Sequence, residues 1–222
     1  MKALILAAGR GERMRPLTDA TPKPLLRLKG KPLIEYHLAA LARAGFDEVI
    51  INVAHLGEQI MAALGDGSRF GIPIRYSDER ATGALETAGG IAQALPLLGE
   101  EPFVVINGDI HTGYSFVALK FAITHLAHLV LVDNPAQHPQ GDFHLDEDGH
   151  VRAEGEPRLT FSGIGLYHPN LFAGLAPGSR AALAPLLRHA MAVGEVSGEH
   201  YTGEWHDIGT PGRLAALDAA PG

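Results

Sequence analysis

The feature that most constrains this chain is a regular alternation that runs from the first residue to about residue 133. Short apolar runs end in glycine or a polar residue, and segments with helical spacing follow them. Residues 2–8 are the first run, which reads as a buried strand because it is short, apolar and closed by glycines. Residues 33–44 repeat apolar side chains at helical spacing and stop at Gly45. Further strands are expected at 48–54, 72–77, 103–106 and 127–133, and further helices at 58–64, 87–98 and 116–125. Strand–helix alternation implies a mainly parallel sheet covered on both faces, hence an α/β, Rossmann-like fold.

From about Pro135 the pattern changes. Residues 141–167 carry short, partly alternating runs between glycine turns, which suits antiparallel additions to the sheet. A helix is expected at 180–193 and a strand at 196–201. A last helix is expected from Pro211, with Thr210 as its N-cap. No linker, repeat or low-complexity tract interrupts 1–222, so one domain is expected over the whole length.

Composition narrows the function. The formal net charge of −7 argues against a grip on nucleic acid, whose affinity rests on Lys and Arg. There is no cysteine, which excludes a disulfide framework, a thiolate nucleophile and a Cys-ligated zinc. MKALILAAGRGERM does not read as a signal peptide, and no apolar stretch approaches membrane-spanning length; a cytoplasmic protein is expected. Twelve histidines invite a metal or phosphohydrolase reading, but they form no convincing ligand pattern and read as surface or packing residues.

An acidic protein that handles phosphates must gather its few cations locally, and one segment does so. The first strand runs into Ala7-Ala8-Gly9-Arg10-Gly11-Glu12-Arg13-Met14-Arg15-Pro16-Leu17-Thr18, followed by Lys23 between Pro22 and Pro24. Glycines just past a first parallel strand let the backbone turn and aim N–H groups at an anion. Ligands of open α/β sheets sit at the carboxyl ends of their strands. The loop is not a P-loop, which needs GxxxxGK[ST], nor a dinucleotide fingerprint, because Met14 stands where the third glycine would be.

Residues 6–25, LAAGRGERMRPLTDATPKPL, resemble the signature of the sugar-1-phosphate nucleotidylyltransferase family, LxxGxGxRLxPLT followed by PKPL. Further matches follow in order: GKPLIEY at 30–36, LETAGG at 85–90, Asn107-Gly108-Asp109, and Trp205-His206-Asp207-Ile208-Gly209-Thr210. The resemblance spans essentially the whole chain. It implies a GT-A-like nucleotidyltransferase fold without the C-terminal β-helix of some relatives. It also implies two substrates, a nucleoside triphosphate and a sugar 1-phosphate, with Mg²⁺ as cofactor and pyrophosphate as by-product. Residues 64–77, 85–91, 129–135, 159–172 and 196–210 resemble the branch that uses UTP and N-acetylmuramic acid 1-phosphate in cell-wall recycling. Guanylyl transfer to mannose 1-phosphate, thymidylyl or uridylyl transfer to glucose 1-phosphate, and a non-catalytic nucleotide-sugar-binding subunit are the alternatives. Monomer and homodimer both stay open.

The chemistry explains why such residues are needed. Both substrates are anions, so the reaction requires in-line positioning, cations around the triphosphate and a metal on the α-phosphate. The nucleophile is already ionised, so little acid–base work is required. By the resemblance, Arg13 takes the β- and γ-phosphates and Lys23 stands near the α-phosphate. Asp109 and Asp207 are the Mg²⁺ ligands. Ala8, Gly9 and Gly11 in the loop, with Glu86 and Thr87, take the nucleotide. Asn107, Gly141, Glu156 (or Glu154) and Ser162 take the sugar. Arg15 either touches phosphate or lies in solvent. Relatives carry Glu-Lys-Pro where this chain reads Glu156-Pro157-Arg158, so either Arg158 or another cation meets the sugar phosphate. Trp205 is expected to pack and fix the Asp207 turn.

Overall fold

The computed structural model describes residues 1–120 and 125–220. The chain opens with β1 (Lys2–Leu6), a two-strand hairpin of β2 (Arg27–Leu28) and β3 (Lys31–Pro32), and α1 (Leu33–Arg43). Next come β4 (Glu48–Val53), α2 (Gly57–Leu64), β5 (Ile74–Asp78), α3 (Glu86–Leu98) and β6 (Phe103–Asn107). Then follow β7 (Ile110–Thr112), α4 (Phe116–Leu119), β8 (Ala127–Val132), β9 (Phe143–Leu145), β10 (Val151–Arg152) and β11 (Arg158–Tyr167). The chain closes with α5 (Leu183–Ala192), β12 (Val196–Tyr201), β13 (Trp205–Asp207) and α6 (Pro211–Ala219).

The strands β5, β4, β1 and β6 lie side by side and are mutually parallel, as the alternation predicts. Beyond β6 the sheet turns mixed. The strand β11 runs antiparallel to β6 and to β8, and β12 runs parallel to β8. The short strands β9 and β10 add antiparallel pairs beside the start of β11. A register break between Phe161 and Ile164 splits β11, so its first half can serve β9 while its second half serves β6.

Side chains alternate across the sheet. Ala3 and Ile5 of β1, with Val49 and Ile51 of β4, face the cluster that holds Ile34, Leu38 and Leu41 of α1 and Ile60 and Leu64 of α2. Leu4 and Ile50 point the other way, onto Ala88, Ile91 and Leu98 of α3 and Leu187 and Met191 of α5. Two apolar layers therefore clamp the sheet, and truncating a fully buried member such as Leu4 to Ala would cost about 2–5 kcal/mol.

Three boundaries differ from expectation for physical reasons. The first strand stops at Leu6 rather than residue 8, because the Ala7 N–H leaves the ladder and donates to Asn52 Oδ1 at 2.6 Å. The strand expected from residue 72 starts at Ile74, after Pro73, which has no N–H to offer. The helix expected from residue 180 starts at Leu183. Residues before it stay extended because the Ala181 carbonyl accepts the Ala88 and Gly89 N–H groups, 3.0 and 3.1 Å away, and so caps α3. The helix expected at 116–125 is helical over Phe116–Leu119, and 121–124 lie outside the described residues. Thr210 caps α6 as expected, its side chain accepting the Arg213 N–H.

Candidate active site

The carboxyl ends of β1, β4, β5 and β6 open onto a cavity of about 570 Å³. Its wall includes the loop from Leu6 to Met14, Lys23, Asn52, Glu79, the stretch from Ala84 to Thr87, Asn107, Gly108 and Asp109. This is the crevice where an open α/β sheet binds ligands.

The loop is held in shape from both ends. Gly11 has φ +63°, and a Cβ there would come within 2.9 Å of Thr18 Cγ2, so glycine is the only fit. Thr18 Oγ1 donates to the Gly11 carbonyl at 2.8 Å. Met14 is fully buried among Leu26, Leu28, Leu33, Ile208 and Leu214, which pins the loop to α1 and α6. Between these anchors Arg10 and Arg13 are exposed and line the cavity. Arg15 does not: it pairs with Asp19 at 3.2 Å and its side chain is 60% exposed.

Lys23 is buried, and its Nζ donates to Asp109 Oδ2 at 2.7 Å. A buried ammonium needs such a partner, because desolvation without one would cost several kcal/mol. Asp109 follows β6, and the antiparallel ribbon of β7 and β13 brings Asp207 beside it. Asp207 pairs with Ile110 in register, and the Ile208 N–H donates to the Asp109 carbonyl at 2.9 Å. Trp205 Nε1 donates to the Ser162 carbonyl at 2.9 Å and ties this ribbon to β11, the packing role expected of it. Arg213 of α6 donates to Asp207 Oδ2. Each of the two carboxylates thus holds one cation; the Arg213 partner was not foreseen in the sequence.

Of the nucleotide-side residues, Ala8, Gly9, Gly11, Arg13, Lys23, Glu86 and Thr87 all line the same cavity, and Asp109 joins them. Asp207 is not on the cavity wall; it lies in the ribbon beside Asp109, two residues before the lining residue Gly209. Glu86 takes φ +62°, an unusual value for a residue with a side chain, and its carboxylate meets Arg180 Nε at 2.8 Å.

A second cavity of about 470 Å³ adjoins the first and shares Glu86, Thr87 and Asn107 with it. Its remaining wall is Asp142, Phe143, Phe161, Ala182, Leu183, Ala184 and Leu187. Of the sugar-side residues only Asn107 lies on this wall; Gly141, Glu156 and Ser162 do not. Glu156 is largely exposed, and the Ser162 hydroxyl is buried and accepts the Ile164 N–H at 3.1 Å. The neighbours Asp142 and Phe161 take the wall positions beside Gly141 and Ser162. Arg158, the candidate substitute for the family lysine, is drawn toward Glu154 at 3.0 Å and Glu156 at 3.6 Å.

Two wall residues escaped the sequence reading altogether. Asn52 and Glu79 are buried, and Asn52 Nδ2 donates to Glu79 Oε1 at 2.7 Å. Their only sequence signals are a polar residue inside the apolar run at 48–54 and an acid just past the third strand. Burial pushes the Glu79 carboxyl above the usual carboxylate range, although the bonds from Asn52 and from the Leu85 N–H pull it back.

The pattern of the nucleotidyl transferase family matches residues 2–220. This chain belongs to that family. As a nucleotidyl transferase it is 57% identical to the N-acetylmuramate alpha-1-phosphate uridylyltransferase of Neisseria meningitidis, over all of this chain and 99% of that protein. It is 35% identical to the Caulobacter vibrioides protein of the same name, over 98% of this chain and 95% of that one. Among solved structures, a putative glucose-1-phosphate thymidylyltransferase from Bacillus anthracis superposes with TM-score 0.85. At 23% identity it covers 99% of this nucleotidyl transferase and 94% of its own chain, and it shares the fold. The mixed, mainly parallel sheet with helices on both faces is therefore the GT-A-like fold that the motifs implied. No helix among the described residues is long and apolar enough to cross a membrane.

Proposed function

We propose that this nucleotidyl transferase moves the uridylyl group of UTP onto N-acetylmuramate α-1-phosphate, in cell-wall sugar recycling. A phosphate oxygen of the sugar phosphate attacks the α-phosphorus of UTP. The bond from that phosphorus to the bridging oxygen breaks, and pyrophosphate leaves with the electron pair. The products are UDP-N-acetylmuramate and pyrophosphate, so atoms and charge balance without an added acid or base. One domain, 1–222, carries both substrate sites.

The observation behind the reaction class is the convergence of Arg13, Lys23 and Asp109, from three separate segments, on one cavity. In this reading Arg13 binds the β- and γ-phosphates with its planar fork and steadies the departing pyrophosphate. Lys23 faces the α-phosphate as a point charge. The backbone at Ala8, Gly9 and Gly11 borders the nucleotide, and so does the start of α3 at Glu86 and Thr87. The base and the sugar rest on the full-length similarity to the Neisseria protein.

Asp109 and Asp207 would hold Mg²⁺. The donor set fits: two neighbouring, half-buried carboxylates supply hard oxygens, which Mg²⁺ prefers. No group of three or more acidic or histidine side chains among the described residues could hold a metal by itself. The remaining ligands would then be phosphate oxygens and water, the usual arrangement for this ion. The ion supplies Lewis-acid polarisation of the phosphoryl group. Lys23 and Arg213, now paired to these carboxylates, would trade part of that contact for phosphate when the substrates bind.

The sugar is proposed to lie in the second cavity. Asn107 bridges the two sites, and Asp142, Phe143 and Phe161 form the sugar-side wall, next in sequence to Gly141 and Ser162. The apolar surface of Phe143, Phe161, Leu183 and Leu187 suits the methyl groups of the acetamido and lactyl substituents, which glucose and mannose lack, and leaves the lactyl carboxylate to face solvent.

The test is pyrophosphate release in Mg²⁺ with UTP, dTTP, GTP, ATP or CTP, each against a set of sugar 1-phosphates. Turnover confined to UTP with N-acetylmuramate α-1-phosphate is expected. Turnover with mannose or glucose 1-phosphate instead would keep the mechanism and overturn the sugar. Silence from folded protein that still binds nucleotide would point to a binding subunit.

A further inference from the structure

The buried pair Asn52 and Glu79 has no part in the mechanism above, yet it lines the nucleotide cavity and joins two of its walls. Asn52 is the next-to-last residue of β4, and Glu79 follows β5 directly. Three hydrogen bonds run in series. The Ala7 N–H donates to Asn52 Oδ1 at 2.6 Å, Asn52 Nδ2 donates to Glu79 Oε1 at 2.7 Å, and the Leu85 N–H donates to Glu79 Oε2 at 3.1 Å. One end of this relay is the start of the phosphate loop, and the other is the start of α3. The Glu79 backbone is fixed as well, its N–H on the Val53 carbonyl at 2.8 Å and its carbonyl accepting the Gly83 N–H at 2.7 Å. Helix α3 packs directly on the pair. A Cβ on Gly90 would lie 2.9 Å from both Asn52 Nδ2 and Glu79 Oε1, so only glycine permits this approach.

A buried carboxylate and a buried amide would each cost free energy if left unsatisfied, and neither is here. Such a network is high-stakes: complete, it holds its two ends at one separation; incomplete, it forces them apart. The ends are the two backbone stretches that the functional reading places on either side of the nucleotide.

We propose that Asn52 and Glu79 are positioning residues that set the spacing between Ala7-Ala8 and Leu85-Glu86, and thereby the enzyme's selectivity for the nucleotide base. The proposal rests on the nucleotide assignment given above. Neither residue needs to touch substrate. Their effect belongs in the affinity and discrimination of the nucleoside triphosphate, not in the transfer step.

The donor and acceptor pattern supplies its own test. In Glu79→Gln, the new amide must accept from Leu85 and therefore turns its NH₂ toward the NH₂ of Asn52. Flipping Asn52 only moves the clash onto the Ala7 N–H. In the double variant Asn52→Asp with Glu79→Gln, all three bonds return. The Ala7 N–H donates to Asp, the Gln amide donates to Asp, and the Leu85 N–H donates to Gln.

Isothermal titration with UTP, CTP, dTTP, GTP and ATP reads nucleotide affinity without any turnover, and steady-state kinetics follow. The expected result for Glu79→Gln is at least a tenfold rise in Kd and KM for UTP and at least a fivefold loss of preference for UTP. The kcat should stay within about threefold, and so should the KM for the sugar phosphate. The double variant should return UTP affinity and preference to within about threefold of the parent. Wild-type affinity and preference in Glu79→Gln with only a lower Tm would overturn the proposal, as would a folded double variant that recovers Tm but not preference. Should Glu79→Gln fail to fold, Gly90→Ala presses on the same pair, and unchanged preference in that folded variant would overturn the proposal equally. A parent protein that binds UTP selectively but turns over no sugar phosphate would sink the uridylyltransferase reading while leaving this comparison intact.

Discussion

The two cavities share a border but differ in the side chains that wall them. The first is walled by backbone turns, paired charges and a buried polar relay on the ends of four parallel strands. The second sets the apolar side chains Phe143, Phe161, Leu183 and Leu187, on the mixed edge of the sheet and on α5, against Asn107 and Asp142. A triphosphate presents the same charges to every protein, so holding one demands particular residue types at fixed spacing. Sugars differ from one another in their hydroxyls and substituents, so the residues that hold one vary with the sugar. The cavity proposed for the phosphates therefore carries a recognisable motif, and the one proposed for the sugar does not.

This contrast can be broken most forcefully at the charged side. Lys23→Ala and Asp109→Asn should each lower kcat on the order of 100-fold to 1,000-fold, the usual cost of losing one preorganised charge at a reacting centre. Steady-state pyrophosphate release reads the loss, with circular dichroism confirming the fold. A fall under tenfold in both variants would place the reacting phosphates elsewhere.

The base of the charged side also carries a pH signature. His37 of α1 is buried, and burial drives its pKa from 6.5 down to about 4, with the neighbouring His111 adding to the fall. The unfolded chain takes up a proton near 6.5 while the folded chain resists until about 4. Stability from this site is therefore fully present above about 6.5 and is lost as pH falls toward 4. The span corresponds to roughly 3 kcal/mol. Urea midpoints at pH 7 and pH 4.5 should differ for the parent and differ less for His37→Gln; an equal difference in both proteins would remove His37 from the account.

On the apolar side the expected effect is smaller and falls on binding. Phe161→Ala should raise the KM for the sugar phosphate about tenfold and leave the KM for UTP within twofold, since one lost apolar contact is worth about 1–3 kcal/mol. A change in the UTP term instead would mean the second cavity does not hold the sugar. The smallest effect belongs to Arg15→Ala. Its guanidinium is solvated and paired with Asp19, and exposed pairs contribute about 0–1 kcal/mol. Less than a twofold change in kcat/KM is expected, and a tenfold change would return Arg15 to the phosphate site.

The same contrast explains what could be read from the amino-acid order. The parallel half of the sheet was legible because each apolar run ends at a glycine or polar residue, and Gly11, Lys23 and Asp109 were picked out because residues 6–25 and 107–109 resemble the family signature. The antiparallel region was legible only as a change of pattern. Its register break at Phe161–Ile164 and its pairing of β12 with β8 depend on contacts between distant segments. The late start of α5 follows from Ala181 capping α3, a tertiary bond with no local signal. Asn52 and Glu79 escaped for the related reason that 27 positions separate two residues which make sense only as a pair. Among the sugar-side residues, Asn107 stands at the shared wall, whereas Ser162 and Gly141 have wall neighbours in Phe161 and Asp142. Phe161 and Ser162 lie in β11, where a displacement of one residue exchanges one face for the other.

The most direct test is a single reaction: this chain with UTP, N-acetylmuramate α-1-phosphate and Mg²⁺, with both products quantified. The account predicts UDP-N-acetylmuramate and pyrophosphate in equal amounts, with the signal abolished by chelation of the metal. Folded, UTP-binding protein that makes neither product, or releases pyrophosphate without the nucleotide sugar, would contradict it.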